Sequence, residues 1–358
     1  MKYISSSLAV LSPSEIERIH RASLDVLADV GIQVRNDTLL AKLRQLGCMV
    51  SGDAVRLPGQ VVMSVVETCF GPPRVRRRAH RIKTTRPIRV ANASQTHIVA
   101  YPDFTRRPGT RDDVIKGIVL ANALPTIGGA LPVVVPSDVP LEMAEIESYR
   151  LGCLYSHKPF HLVSYGLRAS PYLLQMAAIT AQAKGARRRE LGFGFSFGVV
   201  SPLRFARDDL ACAMMAAGEG WPASCYSYVV VGATGPASMA GTLLLSNAER
   251  LACLTPITIA EDQVRRDYGL GPGGAIALSD AKLADFQSGF ERGTGVVFSV
   301  LSGGGVGPSG IAGTDEGASF EKMVIEDAAL SSLNWILQGI DVTTESLGLD
   351  MIKAVGVG

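Results

Sequence analysis

Residues 229–252 read VVVGATGPASMAGTLLLSNAERLA. An apolar β-branched run ends at Val231, the small residues Gly232-Ala233-Thr234-Gly235-Pro236 follow, and a helix-like stretch runs on through Ala252. Strand, tight turn and helix in that order form the unit from which a parallel sheet is built. The pattern predicts a strand over 224–231 and a helix over 236–254. Thr234 or Gly235 is the expected cap, and Pro236 fits the first turn. Ala237, Ala240 and Gly241 would let the helix sit close to the sheet. At the strand end itself, small residues would equally let a ligand approach the backbone.

The same grammar extends in both directions. Thr110-Arg111-Asp112-Asp113 opens a helix through Leu124, and an apolar run follows over 127–135. Then come helix 139–156, strand 160–165, helix 171–184, strand 191–197 and helix 205–218. Beyond the opening stretch lie strand 276–278 with helix 280–293, and strand 296–301 with helix 318–338. Roughly six or seven βα units in a row favour a TIM (β/α)8 barrel, with a doubly wound open sheet as second choice. No Gly-rich loop follows the first strand with an acidic residue some 20 positions later, which weakens the dinucleotide-binding version of that sheet.

Upstream, Ile16, Ile19, Leu24, Leu27 and Val30 recur at helical spacing over 13–30, with Ser12 or Ser14 as cap and Gly31 as stop. Shorter helices are expected near 38–46 and 59–69, and short strands forming a β-hairpin layer over 82–105. The chain thus divides into an N-terminal helical and β extension, 1–105, and a barrel domain, 106–358.

Composition narrows the function. The 358 residues are 47% hydrophobic and 19% charged, which suits a well-packed globular protein. A net charge of +2 is too near neutral for a nucleic-acid binder. The densest basic run, Arg74 to Arg81, reads as a solvated loop. Six scattered cysteines, with no C-x-x-C pair, read as reduced core residues of a cytoplasmic protein, with neither a disulfide framework nor a zinc site. No signal peptide is expected at Met1-Lys2-Tyr3-Ile4-Ser5, and no apolar stretch reaches the roughly 18 residues of a membrane span.

In a βα barrel the site lies at the C-terminal strand ends. Those ends carry Pro136-Ser137-Asp138, Ser164-Tyr165-Gly166, Ser196-Phe197-Gly198, Val231 to Pro236, and Ser302-Gly303-Gly304-Gly305. Tyr165, Phe195, Phe197, Tyr226 and Tyr228 could box a cationic ligand through their ring quadrupoles, although for any single ring ordinary core packing is the favoured reading. His157 and His161 are spaced H-x-x-x-H, but Pro159 between them breaks the helix a metal pair would need. His161 is better placed as a core or pocket hydrogen-bonding residue. The run Gly303-Gly304-Gly305-Val306-Gly307-Pro308-Ser309-Gly310 lacks the lysine of a P-loop, and is either a pliant loop or one that admits a large flat ligand. No G-x-S-x-G elbow is present. An acid/base lyase using Asp138 and His161, and a binding protein for a cationic ligand without catalysis, are the competing functional readings.

Several stretches together carry a resemblance. They are Leu11 to His20 with Val26-Leu27 and Val30-Gly31-Ile32; Arg107-Pro108-Gly109-Thr110-Arg111-Asp112-Asp113 with Ala123-Leu124-Pro125; and Pro136-Ser137-Asp138-Val139-Pro140. The opening stretch adds Gly232 to Pro236 and Asn247-Ala248-Glu249. Ser279-Asp280-Ala281-Lys282 with Asp285, Gln287, Gly289 and Glu291 completes the set. In this order they resemble the trimethylamine methyltransferase superfamily, in particular its glycine betaine:corrinoid methyltransferases, over nearly the whole chain.

The resemblance implies a TIM barrel that moves a methyl group from a methylated amine to the Co(I) of a corrinoid. The corrinoid would be carried by a separate binding protein, and the enzyme would hold no metal of its own. It would be a cytoplasmic enzyme, a homo-oligomer, with no nucleic-acid or membrane partner. The superfamily's archetype carries pyrrolysine in the loop matching roughly 303–317; this chain has none there, which points to a quaternary amine such as glycine betaine. Substrate contacts are expected from His161, Tyr165, Phe195, Phe197, Tyr226 and Tyr228, and catalytic or charge-balancing roles from Glu316 and Glu321. Gly232, Thr234, Gly235, Gly303, Gly304 and Gly305 would shape the corrinoid-facing rim. Relatives have a further strand and loop between Leu254 and Thr255, and a Gly-rich, His-containing tail beyond Gly358.

Overall fold

Helix α1 (Pro13–Asp29) begins where two side chains satisfy its free amides: the Ser12 hydroxyl accepts from the Glu15 amide, and Glu15 accepts from the Ser12 amide at 2.8 Å. This capping box removes two of the orphan donors at the helix start. The computed structural model describes residues 11–70, 87–162, 166–188, 191, 194–221, 223–260, 277–301, 305–313, 315–337, 343 and 345–355. Tyr165, Gly303, Gly304 and the basic run Arg74 to Arg81 lie outside these residues.

After α1 come β1 (Ile32–Gln33), α2 (Asp37–Gln45), β2 (Met49–Ser51), β3 (Ala54–Arg56) and α3 (Gly59–Phe70). The strands β4 (Val90–Ala91), β5 (His97–Ala100) and β6 (Thr105–Pro108) precede α4 (Arg111–Ala123), β7 (Ile127–Gly129), α5 (Leu141–Tyr155) and α6 (Ser170–Lys184). Then follow β8 (Phe195–Val200), β9 (Arg204–Phe205), α7 (Arg207–Gly218), β10 (Ala223–Ser227) and α8 (Met239–Ala260). The last described elements are α9 (Phe286–Leu301), β11 (Ile311–Ala312), β12 (Gly317–Ala318), α10 (Phe320–Leu337) and α11 (Leu349–Val355).

The fold is mixed α/β. The described strands form three sheets, ordered β10-β8-β9-β1-β3-β2, β11-β12-β5-β6 and β4-β7. Parallel pairing recurs: β8 with β10, β4 with β7, and β5 with β12. Isolated parallel bridges add Asn92–Ser309 and Ala130–Phe160, so backbone pairing continues on both sides of β4 and β7. The expected hairpin layer is β5 with β6; β4, within the same expected span, instead pairs in parallel with β7.

Alternation along β8 fixes the core. Phe195 and Phe197 are buried on one face, and Phe197 meets Phe205 edge-to-face at 5.7 Å. Ser196 and Gly198 occupy the opposite face, as period-two strand geometry requires. Each fully buried phenylalanine contributes about 2–3 kcal/mol of transfer free energy. Helices α1 and α3 pack on α8, where the Ser23 hydroxyl donates to the Leu244 carbonyl at 3.0 Å.

Three local expectations are corrected. Val296 to Leu301, expected as a strand, lies in α9. Val296, Ser299 and Val300 are buried while Val297 and Phe298 are exposed, a spacing of three and four that belongs to one helix face. The strand before the opening turn stops at Ser227 rather than Val231. Its helix starts at Met239, and Ser238, not Thr234 or Gly235, accepts the amide of Gly241 at 3.2 Å. Thr234 holds the turn instead, its hydroxyl accepting the Val230 amide at 2.9 Å, while Ala237 and Ala240 are exposed.

Candidate functional site

A cavity of about 740 Å³ opens beside the C-terminal end of β10. β10 and the residue that follows it deliver two tyrosines to it. Tyr226 and Tyr228 are two residues apart, so they share a face, and their rings meet edge-to-face at 5.2 Å and 69°. Ser196 of β8 lines the same wall. Tyr226 faces Gly198 in the parallel register, and a Cβ on Gly198 would stand 2.5 Å from the ring's Cε2. Glycine at that strand position is what lets the ring lie down.

Polar groups share the lining. Gln95 donates its amide to Asp315 at 2.5 Å, and both line the cavity. Asp315 holds a left-handed backbone (φ 73°), a conformation that aspartate tolerates better than most residues. Partial burial, and then the Asp315 carboxylate, push the Tyr228 hydroxyl above its usual pKa. Glu145, on α5, places a second carboxylate in the lining, and its Oε1 accepts the Gly166 amide at 3.0 Å. Asn92 is fully buried and spends both amide hydrogens on the carbonyls of Ala93 and Leu131.

Glu249 underlies the β8–β10 strand ends with no exposed surface. It accepts the Ser201 hydroxyl at 2.7 Å, the Leu203 amide at 2.9 Å and the Ser227 hydroxyl at 2.6 Å. One carboxylate therefore ties the segment after β8 to the last residue of β10.

The expected site residues separate into groups. Tyr226 and Tyr228 line the cavity. Phe195 and Phe197 face the core, and His161 lies against β7, its Nε2 2.6 Å from where a Cβ on Gly129 would be. Gly232 is exposed at the turn, with open space where a Cβ would project, and Gly235 is packed under Val229. Gly305 is exposed, and its carbonyl accepts the Ser299 hydroxyl. Glu316 pairs with Lys282 and, at 3.7 Å, with Arg106; the Lys282 hydrogen bond draws its pKa down. Glu321 accepts the Ser319 hydroxyl at 2.6 Å at the start of α10. Asp138 accepts the Arg111 amide at 2.9 Å and so serves α4; neither it nor His161 lines the cavity.

Sequence reasoning missed Gln95, Glu145 and Asp315, and it named Gly198 and Glu249, one at a strand end and one in a motif, without giving either its role. The last two left a signal: a glycine inside a strand, and a carboxylate in the apolar face of α8.

Beyond β10 the surface is apolar. Tyr228, Val230 and Val231 are 56%, 55% and 45% exposed, next to the open turn at Gly232. Among the described residues no group of three metal-ligating side chains occurs, and no helix is long and apolar enough to cross a membrane.

Comparison with known proteins gives this geometry a context. Glycine betaine methyltransferase of Desulfitobacterium hafniense (strain Y51) is 24% identical over 399 residues, covering 98% of this chain and 81% of that protein. Trimethylamine methyltransferase MttB of Methanosarcina barkeri is 22% identical over 398 residues, covering 98% and 80%. The family model for trimethylamine methyltransferase (MTTB) matches residues 2–262, so the chain belongs to the trimethylamine methyltransferase family.

Proposed function

We propose that this methyltransferase takes a methyl group from a methylated amine, quaternary or tertiary, and passes it to the cobalt of a corrinoid presented by a separate binding protein. The observation that carries the reading is the Tyr226–Tyr228 pair sharing with Asp315 the lining of a cavity at a parallel strand end. Aromatic faces and a carboxylate are the groups that hold an alkylated ammonium without needing to donate a hydrogen bond to it.

The parallel pairs and bridges support a (β/α)8 barrel, with β8 and β10 forming one arc and β4 and β7 another. On that architecture the cavity lies where barrel sites lie. The exposed apolar face of Tyr228, Val230 and Val231, beside a turn with no side chain at Gly232, fits the approach of a flat macrocycle. When bound there, the corrinoid supplies the nucleophile that accepts the methyl group.

The chain's own work is placement. The two tyrosines hold the cationic nitrogen, Asp315 balances its charge, and Ser196 and Gln95 orient what is attached to it. The walls keep water from the carbon being transferred. Orientation of this kind is worth several kcal/mol of barrier without any side-chain nucleophile. Free thiols at all six cysteines fit a reducing compartment, and we place the protein in the cytoplasm.

The test is transfer to added cob(I)alamin, followed by its visible absorbance, across a panel of methylated amines. An amine-dependent change is expected. Calorimetric binding of an amine with no transfer would instead make the protein a receptor for such ligands.

A further inference from the structure

A second cavity, of about 110 Å³, opens between α9 and α10 and shares no described lining residue with the amine cavity. Two cations meet at it, Arg292 from α9 and Lys322 from α10, with side chains only 7% and 3% exposed. Arg292 is largely engaged. Its Nη1 donates to the Ala277 carbonyl at 2.6 Å, and its Nη2 to the Gly307 and Pro308 carbonyls at 3.0 and 3.1 Å. Its ion pair is Glu326, at 3.3 Å, which also accepts the Gly310 amide. Lys322 is not satisfied in this way. Its Nζ stands 3.9 Å from Glu326, beyond hydrogen-bond reach. Neither this Nζ nor the Arg292 Nε has a hydrogen-bond partner among the described residues. An ammonium carries three donors, and burying them without acceptors is costly. Burial accordingly pulls the Lys322 pKa down, against the opposing pull of Glu326.

Beyond the charged end the cavity is an apolar slot. Gly289 and Gly293 stand one helical turn apart on α9, and a Cβ on either would project into open space. Val296, Ile325 and Leu330 supply apolar walls. Asp285 also borders the slot, but it is exposed and accepts the Ser288 amide at 3.0 Å.

We propose that this slot is a second ligand site, taking a small monocarboxylate whose head reaches Lys322 and the Arg292 Nε and whose alkyl tail lies along the two glycines. The carboxylate gives the buried ammonium the acceptors it lacks, through charge-assisted hydrogen bonds. One negative charge suffices, because Glu326 already answers Arg292. The tail displaces water from the apolar walls. The site adjoins the amine cavity through Pro308, whose carbonyl Arg292 holds and which lines that cavity.

Isothermal calorimetry on the full chain with sodium butyrate, at constant ionic strength, tests it. Saturable millimolar or tighter binding is expected, with butanol and butylamine at least about tenfold weaker. Lys322→Met leaves Arg292 and Glu326 paired and should weaken butyrate by at least about tenfold. Gly289→Leu fills the slot while keeping both cations, and is the second variant should the first misfold, with the same expectation. No butyrate binding by the wild-type chain, or binding unchanged in the variants that fold, would overturn the site. Butanol binding as tightly as butyrate would remove the carboxylate from the proposal, and chloride competing equally well would remove the tail; either would overturn it.

Discussion

The Tyr226 ring rests on the bare backbone of Gly198, its partner across the β8–β10 pair, so closely that a Cβ there would stand 2.5 Å from Cε2. Gly198→Ala must push the ring into the cavity or out of its contact with Tyr228. We expect amine binding to fall by about tenfold or more, with a stability loss of about 1–3 kcal/mol typical of overpacking. Calorimetry and chemical denaturation on the same variant separate the two effects; unchanged binding would show that Tyr226 need not lie as it does.

Tyr228 contributes through its face rather than its proton. Tyr228→Phe should keep amine affinity within about twofold, whereas Tyr228→Leu should lose about tenfold, the size of a cation–π contact of about 1–2 kcal/mol. Titration of both variants with tetramethylammonium checks this. Equal affinities for Phe and Leu would remove the ring from the account.

Glu249 is a buried acceptor for three donors. Glu249→Gln turns one of its two acceptor oxygens into a donor group facing donors. A loss of about 2 kcal/mol in urea denaturation is expected, together with weaker amine binding if the strand ends shift. Wild-type stability in this variant would show that the carboxylate is not needed there.

Asp113 gives the fold an acid edge. Arg107 hydrogen-bonds both its oxygens, at 2.6 and 2.7 Å, and the Arg107 pair followed by the Thr110 cap lowers its pKa from 3.8 to about 2. A carboxylate depressed by folding adds stability above the unfolded value, and that stability drains away as pH falls from about 4 through about 2. The contribution is about 2 kcal/mol at neutral pH. Asp113→Asn should flatten that part of the stability-versus-pH curve and lower stability at pH 7; a curve of unchanged shape would count against the pair.

Much of the architecture was legible because strong local signals agreed. Ser12 with Glu15, and Thr110 with Asp113, are capping boxes that mark α1 and α4 in the sequence. The run at 296–301 was misread because a short apolar stretch without turn residues carries no period of its own; burial by its neighbours made it helical. The site was only half legible. Tyr226 and Tyr228 stand out as aromatics at a strand end, yet Phe195 and Phe197 look the same in sequence and differ only in strand parity. Asp315, Gln95 and Glu145 come from a loop, the segment before a hairpin, and a helix. Only folding brings them to one cavity.

Because Glu249 binds Ser201, Leu203 and Ser227 together, the two strands that present Ser196 and Tyr226 are locked into one body. Evolution cannot retune that wall one strand at a time without breaking the lock. New ligand preferences are therefore expected to arise elsewhere in the lining, in the loops carrying Gln95 and Asp315, where a single exchange changes charge without disturbing the frame.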